Sequence, residues 1–131
     1  MWYEVINQTE FLQKLFNNVP DLVNVEILNI QLEENKDRIR ISLFIPVIVD
    51  NPPLKWKQLN YDSAIVDLDL FIISEFLLRC KSKKYIANIS IEEHEKNINI
   101  KCEGGVDMEI CAEIGLIQSI RGCRNKEIHP I

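Results

Sequence analysis

A chain of 131 residues and 15.3 kDa suits one domain with one core. By the usual scaling, folding it removes roughly 15,000 Å² from water, so neither a disulfide nor a structural metal is needed to hold it. With 47% apolar and 27% charged residues the composition excludes extended disorder and collagen, and the net charge of −5 has the wrong sign for a nucleic-acid binder.

The opening Met1-Trp2-Tyr3-Glu4 lacks a basic and an apolar region of signal-peptide type. No uncharged apolar run reaches about 18 residues, so neither secretion by a standard signal nor a membrane span is expected. The first element predicted is a helix from Thr9 to Asn18, capped by Asn7 with Glu10 reaching back and Ile6 and Phe11 as a hydrophobic staple. Its apolar face is Phe11, Leu12, Leu15, Phe16 and Val19, and Pro20 ends it.

Beyond Pro20 the chain reads as mostly sheet, because 21 isoleucines stand against 3 alanines and branching at Cβ suits a pleated surface better than a helix. Leu22 to Leu32 is a strand with a change of phase, a bulge, near Ile27-Leu28. A polar turn over Glu33 to Asp37 leads into Arg38 to Leu43 and makes a hairpin. Pro46 marks an edge or a bend, and Asp50-Asn51-Pro52-Pro53 opens a loop that carries Trp56 and Tyr61. Val66, Leu68, Leu70 and Ile72 then alternate with Asp67 and Asp69 as a half-buried strand, whereas Ile73 to Leu78 fits a buried strand or a short helix equally.

Ile86 to Ile91 and Ile98 to Cys102, joined by a turn at Glu93 to Lys96, form a second hairpin, and Gly104-Gly105 turns the chain again. Val106, Met108, Ile110 and Ala112 alternate with Asp107, Glu109, Cys111 and Glu113, and Gly115 is read as a turn into Leu116 to Ile120. The order predicts an α+β fold: one N-terminal amphipathic helix packed on a mostly antiparallel, meander-rich sheet, with residues 1–131 forming a single domain.

Chemistry-bearing motifs are few. Cys80, Cys102, Cys111 and Cys123 lie 22, 9 and 12 residues apart, without a CxxC pair or zinc-finger spacing, and read as free thiols of a reducing cytosol, with a disulfide pair in an oxidising compartment as the alternative. His94 falls in a turn and His129 in the C-terminal tail, so no metal site is assigned. No nucleophile elbow or phosphate loop is present, so no catalytic residue and no cofactor are assigned. Asp67 and Asp69 share a strand face at about 7 Å, a separation that glycosidase carboxylates can have, but the spacing is that of any half-exposed strand. Arg79, Lys81, Lys83 and Lys84 read as a solvated basic turn.

Charge is concentrated in one segment. Between Glu92 and Glu113, Glu92, Glu93, Glu95, Glu103, Asp107, Glu109 and Glu113 face only Lys96 and Lys101, so this stretch carries −5 and the rest of the chain sums to zero. Strand alternation puts Asp107, Glu109 and Glu113 on an outer face that Asp67 and Asp69 can join, either as a solubility surface or as a dock for a cationic protein.

The arrangement resembles the bacterial polymorphic-toxin immunity proteins, and most of all the immunity protein fifty family. The resemblance lies in the amphipathic start with Phe11 to Phe16, the strand pair from Leu22 to Leu43, Pro53-Leu54-Lys55-Trp56, the Val66 to Leu70 strand and the closing Ile110 to Ile120 stretch. It implies a cytoplasmic, non-catalytic protein made beside a secreted toxin, which binds the cognate toxin domain and prevents self-intoxication by stoichiometric occlusion. The acidic face fits a basic toxin such as a nuclease, with Asp67, Asp69, Asp107, Glu109 and Glu113 as partner-binding residues. Trp56 reads as a packing residue. The competing reading is a small β-rich ligand-binding or assembly module with a pocket between helix and sheet.

Overall fold

The branched residues do form strands. The computed structural model describes residues 1–125, and most of them lie in β1 (Val25–Glu33), β2 (Arg38–Ile45), β3 (Ser63–Cys80), β4 (Ile86–His94), β5 (Asn97–Gly104) and β6 (Val106–Cys123). Among the described residues the regular structure also includes two short helices, α1 (Glu10–Leu15) and α2 (Leu54–Gln58), and two 3-10 turns. Strand pairing is antiparallel throughout and runs β1-β2-β3-β6-β5-β4, with β4 returning to β1 to close a barrel. The sheet is mostly antiparallel, as the sequence predicts, and it closes on itself, with Leu12 and Leu15 of the short α1 in the same core as the strands. The apolar faces of the strands meet one another, and the helices add to a core that the barrel already encloses.

The long strands β3 and β6 organise the molecule. They pair from Ser63↔Cys123 to Cys80↔Val106, with register shifts at Asp67/Leu68 and Ile73/Glu75. The first half of β3 takes β2 as its other neighbour, and the first half of β6 takes β5. Ile73 to Leu78, left between strand and helix above, is therefore strand. Ile72 has φ 59°, a left-handed conformation costly for a β-branched residue, and it is tied down by hydrogen bonds from its own N–H and that of Ile73 to the carbonyl and Oδ1 of Asp37.

Alternate residues fill the interior: Ile39, Ile41, Leu43 and Ile45 from β2, Val66, Leu68 and Leu70 from β3, Ile98 and Ile100 from β5, and Met108, Ile110 and Ala112 from β6. The expected bulge in β1 is present, between Ile27 and Asn29. Both hairpins form as well, and Glu95 and Lys96 sit at φ 49° and 71° in a two-residue turn between His94 and Asn97.

Three expectations change. The helix predicted over Thr9 to Asn18 shrinks to Glu10–Leu15, and Asn7 does not cap it. The Asn7 backbone is engaged by β6 instead, donating to the Gly115 carbonyl and accepting from Ile117 N–H, while the Leu15 carbonyl accepts from Asp50 and Asn51 N–H. Gly115 is no turn: β6 runs straight through it, its φ is not positive, and a Cβ there would lie 2.7 Å from Ile6 Cδ1. It is small because the N-terminal segment crosses at that point. The loop around Trp56 contains α2, and Trp56 is buried, its ring edge-to-face with Phe11 at 5.9 Å. His129 lies outside the described residues.

Candidate functional site

The outer face of the barrel carries two charged regions of opposite character. The first spans β2, the first half of β3 and the second half of β6. Here Arg38, Arg40 and Ser42 alternate outward on β2 beside Asp69 and Asp67 on β3, since Arg40 pairs with Asp69 and Ser42 with Asp67. Arg40 donates from Nε and Nη2 to the two oxygens of Asp69 at 2.6 and 2.8 Å, and Arg38 Nη1 adds a longer contact at 3.6 Å. Arg38 also pairs with Glu33 at 2.5 Å.

Asp67 accepts from Ser42 Oγ at 2.6 Å, Ser119 Oγ at 2.5 Å, and Arg121 Nε and Nη2 at 3.1 and 3.0 Å. Desolvation pushes this carboxyl up, but the hydrogen bonds from Ser119, Ser42 and Arg121 together outweigh it and hold it below its ordinary value. The bidentate bond to Asp69 likewise raises Arg40 above its ordinary value, against desolvation.

Asp69 is 0% exposed and Asp67 8%. Alternation does turn them outward as expected, but the idea that they display free charge is corrected. Three arginines and two hydroxyls cover and neutralise them, because carboxylates facing a neighbouring strand of arginines are lower in free energy paired than solvated apart. They are also not an acid–base pair: each carboxylate has its own cationic partner, and Asp67 is held ionised. With Glu33 the network balances three acids against Arg38, Arg40 and Arg121. Sequence reading missed those partners, although Arg38-x-Arg40-x-Ser42 has the same period of two as Asp67-x-Asp69.

The second region covers the outer face of β4, β5, the first half of β6 and the second half of β3. Cross-strand rows can be read from the pairing. Glu92, Asn99, Cys111 and Glu75 form one, and Ser90, Lys101, Glu109 and Leu77 form the next, with Arg79 opposite Asp107 beyond it. Glu75, Glu92, Glu103, Glu109 and Glu113 are exposed and Asp107 is half-buried.

Lys81 Nζ lies 3.3 Å from Asp107 and Lys101 Nζ 3.2 Å from Glu103. The hydrogen bond from Lys81, against a smaller desolvation, holds Asp107 below its ordinary value, with Gly104 N–H and the Arg79 charge assisting. Lys101 is raised by its bond to Glu103 and by the charges of Glu103 and Glu109. Glu109 and Glu113 make no close ion pair among the described residues. Of the five residues nominated from sequence, the fold thus places Asp107, Glu109 and Glu113 together on an accessible face and puts Asp67 and Asp69 in the neutral network.

Among the described residues no group of three His, Cys, Asp or Glu side chains is arranged to hold a metal ion, and no helix is long and apolar enough to cross a membrane. All four cysteines are free. The groove between α1 and β6, about 390 Å³, is lined by Gln8, Glu10, Lys14 and Ser119 as well as Phe11 and Ile117, a mixed lining unlike an apolar ligand pocket.

Comparison with known proteins adds a family. A family model described as Immunity protein 50 matches residues 8–122. A crystal structure of an uncharacterized protein from Neisseria gonorrhoeae is similar in fold, with a TM-score of 0.51 and 13% identity over 74% of this chain and 92% of that one. Among curated proteins no match was found.

Proposed function

The chain belongs to the immunity protein 50 family, and from that premise we propose that it binds a cognate bacterial toxin domain and neutralises it by stoichiometric occlusion. Acting as one cytoplasmic domain, it masks the toxin's working surface and does no chemistry of its own. The observation that carries the choice of surface is the row on β6 of exposed Glu109 and Glu113 with half-buried Asp107, within a face whose acids outnumber its bases. Such a face attracts a cationic partner, speeds encounter and penalises partners of the wrong sign. A basic toxin such as a nuclease has the complementary charge.

In this reading Asp107, Glu109 and Glu113 meet the partner directly. Asp67 and Asp69 act from beneath, fixing Arg40 and Arg121 and so the shape of the adjoining surface. Co-expression tests the function: the toxin domain encoded beside this chain arrests growth alone, and the intact chain restores it. Failure of the wild-type chain to rescue contradicts the reading. The face is tested by association kinetics, which should slow steeply as ionic strength rises past about 0.1 M, where the screening length is roughly 10 Å. Asp107→Asn with Glu109→Gln should reproduce that slowing at low salt. Rescue by a double variant that associates as fast as wild type at low salt would retain the function and discard the face.

A further inference from the structure

On the side away from β6, the second half of β3 is an edge without a strand partner among the described residues. β2 pairs with β3 only as far as Phe71, and from Glu75 to Cys80 the ladder of β3 runs to β6 alone. Unpaired edges are usually short, guarded by like charges or covered. This one carries Glu75, Leu77 and Arg79 on the outer face, with Leu77 54% and Leu78 45% exposed. Beside it an apolar groove of about 300 Å³ is lined by Leu28, Ile30, Leu78, Tyr85 and Val106.

We propose that a second copy of this chain docks on this edge, its own Glu75–Cys80 segment pairing antiparallel about a twofold axis at Leu77. The order of residues selects both partner and register. Directly opposite residues of an antiparallel pair lie on the same face with Cβ atoms about 5 Å apart. Centring the axis on Leu77 sets Glu75 of each copy opposite Arg79 of the other, Leu77 against Leu77, and Phe76 against Leu78. Charges then meet opposite charges twice, and apolar residues meet apolar ones.

Shifting the axis to Phe76 puts Glu75 against Leu77, and shifting it to Leu78 puts Leu77 against Arg79. A half-step shift turns the outward face of one copy against the inward face of the other. Neither Glu75 nor Arg79 makes a close ion pair among the described residues, so both remain available for the partner copy. The product is one continuous sheet, β4-β5-β6-β3 joined to its symmetry mate, with self-complementarity of the isologous kind. Sedimentation is run over a range centred on the order of 10 μM, the weak regime in which a small strand-edge interface is sought.

Sedimentation equilibrium of the purified chain across that range tests the proposal, with charge variants that need not disturb the fold because both residues are exposed. Wild type should dimerise. Glu75→Arg should weaken the dimer about tenfold or more by setting two arginines opposite each other, and adding Arg79→Glu should restore it. In a Cys80→Ser background, Leu77→Cys should cross-link to its own mate on mild oxidation, and less so when Glu75→Arg is added. A monomer at all concentrations, a dimer untouched by Glu75→Arg, a swap that does not restore it or the absence of the Leu77→Cys cross-link overturns the proposal. If the chain is monomeric and Glu75→Arg instead weakens toxin binding, the edge belongs to the toxin and not to a second copy.

Discussion

Arg40 closes a two-pronged hydrogen bond on Asp69, at 2.6 and 2.8 Å, on the outside of the barrel, and so buries a carboxylate where strand alternation alone would leave it in water. Removing that carboxylate leaves Arg40, whose side chain is 27% exposed, without its counter-charge, while Arg38 keeps Glu33. Asp69→Ala should therefore cost about 3 kcal/mol of stability. Asp107→Asn with Glu109→Gln, on the accessible face, should change stability by less than about 0.5 kcal/mol. Urea denaturation of the two variants beside wild type checks the contrast, and similar losses in both would mean that the two regions are not distinct in kind.

Asp67 predicts an acid limb. Its carboxyl is held below the ordinary value in the folded chain, so the folded state prefers it ionised. The stability it contributes is fully present above the unfolded value of about 3.9 and is lost as pH falls through the lower folded value. Asp67→Asn should lower stability at neutral pH by about 1–3 kcal/mol through its unmatched hydrogen bonds and should flatten the loss below pH 4. Denaturation midpoints from pH 7 down to acid, compared between the two proteins, give both quantities.

The four thiols should separate by accessibility. Cys80 is exposed, whereas Cys102 is buried and desolvation pushes its thiol up to about 12. In native protein at pH 8 a thiol reagent should modify Cys80 first and Cys102 only after unfolding, with all four reacting in denaturant. Modification of Cys102 as fast as Cys80 in the folded chain would contradict the packing around β5.

The turn between β4 and β5 places Glu95 and Lys96 at positive φ, at 49° and 71°, where Asn and Gly are the residues that suit such a hairpin. Glu95→Asn with Lys96→Gly should stabilise the chain by about 1 kcal/mol. Thermal unfolding measures it, and a lower midpoint would show that the native turn differs from the one described.

Local pattern made the hairpins legible. Period-two alternation around polar turns marks β1-β2 and β4-β5, and the slip in phase at Leu28 marks its bulge, because each is written within about 20 neighbouring residues. What depended on distant residues was not legible. Asn7 does not cap α1 because β6 engages its backbone, α1 stops at Leu15 where that carbonyl accepts from Asp50 and Asn51 N–H, Gly115 is small because Ile6 crosses it, and barrel closure rests on the short pairing of Val25 and Glu26 with Ala87 and Ile86. The site divides in the same way. The outward direction of Asp107, Glu109 and Glu113 follows from their own strand, while the burial of Asp67 and Asp69 depends on Arg40 and Arg121, 29 and 54 residues away.

Stoichiometric occlusion is tested most directly by titrating a fixed amount of the cognate toxin domain with this chain and measuring the toxin's residual activity. The account predicts a linear fall to zero at one equivalent, with activity recovered when the complex is dissociated. Undiminished activity at excess, or complete and irreversible loss at a small fraction of an equivalent as a catalyst would produce, contradicts it.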